Sequence, residues 1–474
     1  MEYEAVIGLE THVQLKTLSK MWCGCANEFG ASPNSNVCPV CLGFPGVLPV
    51  ANEQALRLTV LTGLLLNCSI PSRAKFDRKN YFYPDSAKNY QVTQYDQPST
   101  REGWIDFESG GRLETVRITR AHLEEDVGKN VHFERCSGVD FNRAGVPLLE
   151  IVSEPEICSA DMACDYLNAL TDILVRGGIS DCDMEKGMVR CDVNVSVRPK
   201  GSKALGAKIE IKNMNTFSGV RRALDYEIPR QIAAVQRGER LAQETRRWDD
   251  IGGITESMRS KEDAHDYRYF PEPDLMPFEP SDSWLAQVRA QVVELPLARK
   301  RRFMEQFQLP PSDAQALTDD DAAGNYFQRI VAGHRSPKTI ANWVINNLKG
   351  KLAESGFSFG ELQFPEVGIP QLVDLVEAGK ISTTMAQEVF LEMFRTGELP
   401  GGIVERRGLS QVSDAGAIEA LCRQVIEANP KSADDFRAGR GAALNFLKGQ
   451  VMKLSKGKAN PGVVGDVLER LLNG

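Results

Sequence analysis

Two cysteine pairs near the start, Cys23-Gly-Cys25 and Cys38-Pro-Val-Cys41, constrain the fold more than any other feature. They stand twelve residues apart, the spacing of a closed metal clip. Each pair supplies two adjacent corners of a tetrahedron, and Zn²⁺ takes four thiolates in that geometry. The stretch between them is rich in Asn, Ser, Gly and Pro and reads as a loop that the metal would staple. The second pair runs into Cys41-Leu-Gly-Phe-Pro-Gly-Val-Leu-Pro49, which is full of turn residues and needs an anchor from outside itself. The alternative is four reduced thiols packed in the loop. A closed four-thiolate site leaves no position open for a substrate, so the clip speaks to scaffold and the chemistry lies elsewhere.

The other seven cysteines (Cys68, Cys136, Cys158, Cys164, Cys182, Cys191 and Cys422) lack paired spacing. With an acidic N-terminus and no secretory leader, this usage points to a reducing cytoplasm. The longest apolar run, Leu58 to Leu66, carries Thr59, Thr62 and Gly63 and is too short to span a bilayer. Net charge is −8, against a protein coated with nucleic acid, but it is unevenly spread. From Gly401 onward 11 Lys and Arg face 8 Asp and Glu, so a +3 tail follows a −11 body. Such a tail suits a localised polyanion contact, and equally a solvated tail with a chance excess.

Texture divides the chain into a first domain over 1–292, a helical domain over 293–404 and a tail over 405–474. Pro271-Glu-Pro-Asp-Leu-Met-Pro-Phe-Glu-Pro280 holds four prolines, cannot be a continuous helix and marks the exit from the first domain. Beyond it, segments such as Asn342-Trp-Val-Ile-Asn-Asn-Leu348 have helical spacing, and Leu399-Pro-Gly-Gly402 breaks the pattern. In the first domain strands alternate. Leu9, Val13 and Leu15 share one face of Ile7–Leu15 while Glu10, His12 and Gln14 share the other. Arg190–Arg198 does the same, with Val193, Val195 and Val197 inward and Asp192 and Asn194 outward, and Lys208–Lys212 sets Ile209 and Ile211 against Glu210. A polar face in water is ordinary for an antiparallel sheet, yet these faces are rich in carboxylates, as a cation or phosphate site would be. The fold class expected is α+β: a mixed or antiparallel-sheet domain with the zinc clip, then helices.

His122-Leu-Glu-Glu-Asp126 and Glu150, with Glu10, His12, Asp192 and Glu210, make a reservoir of hard ligands. Mg²⁺ prefers such oxygens, and an imidazole among them tolerates Mn²⁺. Taken singly, each acid also suits a plain surface position. No Gly-x-x-x-x-Gly-Lys-Ser/Thr loop, Gly-x-Ser-x-Gly elbow or protein-kinase motif set occurs. These features do not define a reaction.

Longer motifs point to a family. Met21-Trp-Cys-Gly-Cys25, Pro39–Pro49, Phe76-Asp-Arg-Lys-Asn-Tyr-Phe-Tyr-Pro84, His122–Asp126, Asn142–Pro155, Arg190–Val197, Gln243–Arg246, Met258–Phe270, Gly449–Lys453 and Lys456–Pro461 resemble the B subunit of the aspartyl/glutamyl-tRNA amidotransferases. The resemblance covers essentially the whole chain. Departures are small: Trp22 stands where Phe is usual, Ser86-Ala87 where Leu-Pro is common, and Met276 interrupts the proline-rich linker, none of them a proposed ligand.

The resemblance implies a cradle-shaped first domain, a helical domain and a tail related to the YqeY family. It implies a subunit that binds tRNA(Gln) or tRNA(Asn) misacylated with Glu or Asp and phosphorylates the side-chain carboxylate with ATP. Ammonia from a partner glutaminase, the amidase of the heterotrimer, then attacks, and a small third subunit completes the assembly. By the same resemblance, His12, Glu125 and Glu150 hold Mg²⁺ (or Mn²⁺), with Glu10 beside them in the catalytic set. Asp192 and Glu210 are second ligands or nucleotide contacts, and Lys79, Tyr81 and Lys88 touch phosphate or the tRNA end. Cys23, Cys25, Cys38 and Cys41 hold Zn²⁺, and Lys448, Lys453, Lys456 and Lys458 contact the tRNA backbone. Two other readings stay open: a non-catalytic zinc-stapled tRNA-binding scaffold, and a stand-alone ATP-dependent carboxylate–amine ligase.

Overall fold

The computed structural model describes residues 2–260, 267–409, 415–438, 440–455, 459 and 461–473. The chain divides into two compact units, Met1–Leu297 and Ala298–Gly474.

The first unit is organised by its opening strand. β1 (Tyr3–Gln14) pairs antiparallel with β8 (Pro147–Ser153) on one side and β9 (Val189–Pro199) on the other. Around this centre runs an eight-stranded sheet in the order β12-β11-β10-β9-β1-β8-β5-β4. Its remaining members are β4 (Thr100–Ser109), β5 (Arg112–Glu125), β10 (Ile209–Lys212), β11 (Glu244–Asp249) and β12 (Ile254–Ser260). Every neighbouring pair is antiparallel except β10 and β11, whose parallel pairing needs a crossover. That crossover contains a helix, so the sheet is mixed. β2 (Asp77–Asn80), β3 (Tyr90–Thr93) and β13 (Phe270–Pro271) form a three-stranded sheet, and β6 (Lys129–His132) pairs with β7 (Ser137–Asp140).

Strand alternation gives the large sheet two unlike faces. Leu9, Val13, Leu123, Leu149, Ile151, Val193, Val195, Ile209 and Ile211 are buried together with three helices in one core. α1 (Glu53–Leu65) starts at Asn52, whose side chain accepts from the amides of Gln54 and Ala55. α2 (Ala160–Arg176) is capped by Ser159 and buries Ala163, Tyr166, Leu167, Leu170 and Leu174, a stripe at helical spacing. α3 (Phe217–Gln236), the crossover helix, is capped by Thr216 and buries Val220, Ala223 and Leu224. The Leu58–Leu66 run therefore lies in α1 and the turn after it, inside a core.

In the second unit the apolar side chains gather into two clusters, one from Phe303 to Val404 and one from Ile418 to Leu472. Asn342–Leu348 is helical as its spacing requires, but its second half is a π-helical turn, Val344–Leu348, between helices Pro337–Trp343 and Lys349–Ser355. The break expected at Leu399–Gly402 falls earlier. Gly397, left-handed at φ 74°, ends the helix Thr383–Thr396, and Pro400 opens the helix Pro400–Arg407. Proline fits the first turn because no intrahelical bond needs its amide. Among the described residues no helix is long and apolar enough to cross a membrane.

Candidate metal and nucleotide cavity

The face of the sheet opposite the core is lined by the other half of each strand. On it the register sets Glu10 of β1 opposite Asp192 of β9, and His12 opposite Glu150 of β8. Glu150 is in turn opposite His122 of β5. These side chains border an open cavity of about 350 Å³, with Lys79, Lys208, Glu210 and Lys212 also in its wall.

In its wall His12 Nε2 lies 3.3 Å from Glu150 Oε2, and 3.7 Å from Oε1 of Glu124 behind it. Ligand atoms on His12, Glu124 and Glu150 all fall within 4.8 Å of one another. Both carboxylates are buried. The group is short of positive charge. Burial, reinforced by Glu150, pushes Glu124 up to about 7. Burial also opposes ionisation of Glu150, but His122, His12 and Lys79 together hold it below the usual carboxylate range. Burial pushes His122 down to about 4, so at neutral pH it is uncharged and His12 and Lys79 do that work. Burial would lower His12 too, but its hydrogen bond to Glu150 and the charge of Glu124 lift it to about 9. A site that gathers protons to balance two buried carboxylates is one that a divalent cation satisfies, and imidazole with two carboxylates suits Mg²⁺ or Mn²⁺.

Around this centre the remaining groups alternate in sign. Lys212 Nζ reaches Asp192 at 2.7 Å and Glu210 at 3.0 Å, and Thr245 donates to Glu210 at 2.9 Å. Lys79 lies over the ring of Tyr267.

Of the cavity residues expected from sequence, Glu10, His12, Glu150, Lys79, Asp192 and Glu210 meet here. Glu125 does not. Adjacent residues of a strand point to opposite faces, so with His122 and Glu124 on the cavity side Glu125 faces away. Its Oε1 accepts from Lys88 Nζ and, at 2.9 Å, from the amide of Val92. Glu125 and Lys88 line a separate small recess that includes Cys41. Tyr81 stacks on Tyr83, 5.5 Å between ring centres. Glu124 was legible in His122-Leu-Glu-Glu-Asp126 only once His122 fixed which parity faces the site.

The four clip sulfurs also lie within 4.8 Å of one another, close enough for one ion to touch all four. They could hold zinc. The thiols are unequal: a hydrogen bond from Cys23 leads the influences that hold Cys41 down to about 4, and the amide of Cys38 and the charge of Lys20 add to it. The same Cys23–Cys41 bond pushes Cys23 up. Lys20 is fully buried, and its ammonium donates to the Asn36 carbonyl at 2.9 Å, the Phe141 carbonyl at 3.4 Å and Cys41 Sγ at 3.7 Å. Gly145 closes the clip against β8: at φ 82° it takes the left-handed conformation, and its carbonyl accepts from the amide of Met21 at 2.7 Å.

In the second unit Lys448 is half-buried and Lys453 exposed on the helix Ala442–Leu454. Lys456, Lys458 and parts of two motifs, Met258–Phe270 and Lys456–Pro461, lie outside the described residues.

Fold and site define a class: a sheet-based protein with a histidine–carboxylate cluster that could hold a hard cation at an open polar cavity, and a separate, closed thiol clip that could hold zinc. Comparison with known families gives the particular one. Residues 5–286 match the model of the GatB/GatE catalytic domain, and residues 325–472 match that of the GatB domain. The chain is 50% identical over 472 residues to the B subunit of the aspartyl/glutamyl-tRNA(Asn/Gln) amidotransferase of Carboxydothermus hydrogenoformans, covering 98% of each chain. It is 48% identical to proteins of the same name from Methylacidiphilum infernorum, covering 100% of this chain and 99% of the relative, and from Thermodesulfovibrio yellowstonii, covering 100% of both. This chain belongs to the GatB family, the B subunits of the aspartyl/glutamyl-tRNA amidotransferases.

Proposed function

We propose that this chain binds tRNA(Gln) or tRNA(Asn) misacylated with Glu or Asp and transfers the γ-phosphoryl group of ATP to the side-chain carboxylate in the cavity on β1, β5, β8 and β9. Ammonia from a partner glutaminase then displaces phosphate and leaves the amide. One observation carries the reading: His12, Glu124 and Glu150 converge with ligand atoms within 4.8 Å, and His12 and Glu150 line a cavity that lysines also line.

His12, Glu124 and Glu150 would hold the cation, with Glu10 next to them. A bound Mg²⁺ or Mn²⁺ would supply positive charge against the negative charge that develops on the phosphates during transfer. The protein's share is positioning and electrostatics. Lys79 on one side and Lys208 and Lys212 on the other place positive charge where phosphate oxygens would lie, and Asp192 and Glu210 hold Lys212 in place. A carboxylate is a weak electrophile, and phosphorylation gives it a leaving group. The clip, with zinc, fixes the loop after β1. The tail over 405–474, with Lys448, Lys453, Lys456 and Lys458, would meet the tRNA backbone through charge, and a small third subunit would complete the assembly.

The test combines the chain with its amidase and small partners, labelled ATP, glutamine and Glu-charged or Asp-charged tRNA. ADP is expected to form only with misacylated tRNA, in step with amidated tRNA. ADP formed at the same rate without tRNA would favour a stand-alone ligase. Amidation with ADP formation intact in Glu150→Gln would favour the scaffold reading.

A further inference from the structure

Beside the cavity the sheet edge carries a second recess, of about 420 Å³, bounded by β4, β5 and the turn after β3. Tyr95 and Arg120 belong to the walls of both, so the two spaces adjoin there.

Its wall carries three arginines, Arg101, Arg117 and Arg120, and three acids, Asp96, Glu102 and Glu154. Arg101 of β4 and Arg120 of β5 stand directly opposite each other in the ladder, a placement in which like charges repel. Among the described residues neither is in an ion pair. Arg101 Nη2 donates to the Asp96 carbonyl at 2.7 Å and Arg120 Nη1 to the Tyr95 carbonyl at 3.2 Å. The Nε of Arg120 is buried without a hydrogen-bond partner. Neighbouring charges are already matched: Arg117 Nε donates to Glu156 at 2.7 Å, and Asp96 pairs with Lys75 at 2.7 Å. Glu154, on the rim, accepts from Thr119 at 2.7 Å. Two aromatic rings complete the recess. Trp104 is 43% exposed and Tyr95 51% exposed, and Tyr95 stacks on Tyr269 of the first cavity at 4.2 Å.

Two facing guanidinium groups outside any ion pair among the described residues, flanked by part-exposed rings, are the chemistry that binds single-stranded nucleic acid: the forks take phosphate oxygens and the rings stack under bases. The geometry points to this recess as the seat of the unpaired 3′ nucleotides of the aminoacyl-tRNA. The aminoacyl group would pass into the adjoining cavity beside Tyr95 and Arg120. The inference rests on the reading of that cavity as the activation site. The phosphates of ATP present the same chemistry, and the test separates the two sources.

Arg101→Gln and Trp104→Ala change residues of the recess outside the catalytic cavity. In the assembled complex each is expected to raise KM for misacylated tRNA about tenfold. Arg101→Gln should also lower the slope of log binding against log salt by about one. Nucleotide affinity and Tm should stay unchanged, and Arg101→Lys should recover part of the loss. A tRNA stripped of its unpaired 3′ nucleotides should bind wild type and Arg101→Gln equally. Wild-type KM in both variants, or stripped tRNA that still distinguishes them, overturns the inference. Nucleotide affinity falling in place of tRNA affinity overturns it too and assigns the recess to ATP. Glu150→Gln, run alongside, keeps the two readings apart. If it too retains ADP formation, the activation site is misplaced; if it is inactive while Arg101→Gln behaves as wild type, only the recess is.

Discussion

Glu150→Gln is expected to lower tRNA-dependent ADP formation by roughly 10²–10³-fold, the scale of losing one preorganised charge at a reacting phosphate. Glu150 is the hub of the cluster: its Oε2 lies 3.3 Å from His12 and 3.9 Å from His122. Gln has the same shape, so the buried packing of β8 survives and the loss reads on charge. Glu124→Gln should act alike because its carboxylate shares the same group. Glu125→Gln should not. Its carboxylate pairs with Lys88 on the far side of the strand, so ADP formation should stay within a few-fold of wild type. ADP release under single-turnover conditions measures all three. Loss of ADP formation in Glu125→Gln with normal activity in Glu124→Gln would reverse the parity on which the site is built.

The second large effect is structural. Stripping metal from the clip, or Cys38→Ser with Cys41→Ser, is expected to destabilise the first unit by at least about 3 kcal/mol. The reason lies in Lys20, a buried ammonium whose contacts are two carbonyls and the sulfur of Cys41. Four thiolates around a divalent ion carry net negative charge, which offsets the lysine; without them its charge is buried unmatched. Lys20→Met should therefore lower the Tm of the zinc-loaded protein and raise, or leave unchanged, the Tm of the Cys38→Ser, Cys41→Ser protein. Thermal unfolding with and without a chelator, alongside zinc content by elemental analysis, checks both signs. An unchanged Tm after complete removal of zinc would show that the loop holds itself.

Much of this arrangement is legible along the chain because period two and cysteine spacing are local properties. The polar and apolar faces of β1, β9 and Lys208–Lys212 follow from alternation alone, and so does the choice of Glu10, His12, Asp192 and Glu210 as one face. What is not local is pairing. Glu124 and Glu125 are chemically identical in a row of acids, and only the register of β5 on β8, which sets His122 opposite Glu150, says which lies on the cavity side. Tyr81 sits in the same motif as Lys79, and Lys88 four residues past its end, but β2 ends at Asn80, and neither Tyr81 nor Lys88 reaches the cavity wall. The facing arginines of β4 and β5 lie nineteen residues apart in sequence and meet only through a hairpin register. The parallel step from β10 to β11 likewise depends on α3, whose caps are readable while its path across the sheet is not.

The central claim is that the cation for phosphoryl transfer sits between His12, Glu124 and Glu150. Mn²⁺ reports on it most directly, because its anomalous scattering fixes an ion's position in a crystal without reference to activity. Crystals of the complex grown with Mn²⁺ and a non-hydrolysable ATP analogue should give one strong peak in the cavity, within coordination distance of His12 and both acids, with the nucleotide's phosphates beside it. A peak on Glu125, or a nucleotide bound away from this sheet face, would contradict the account.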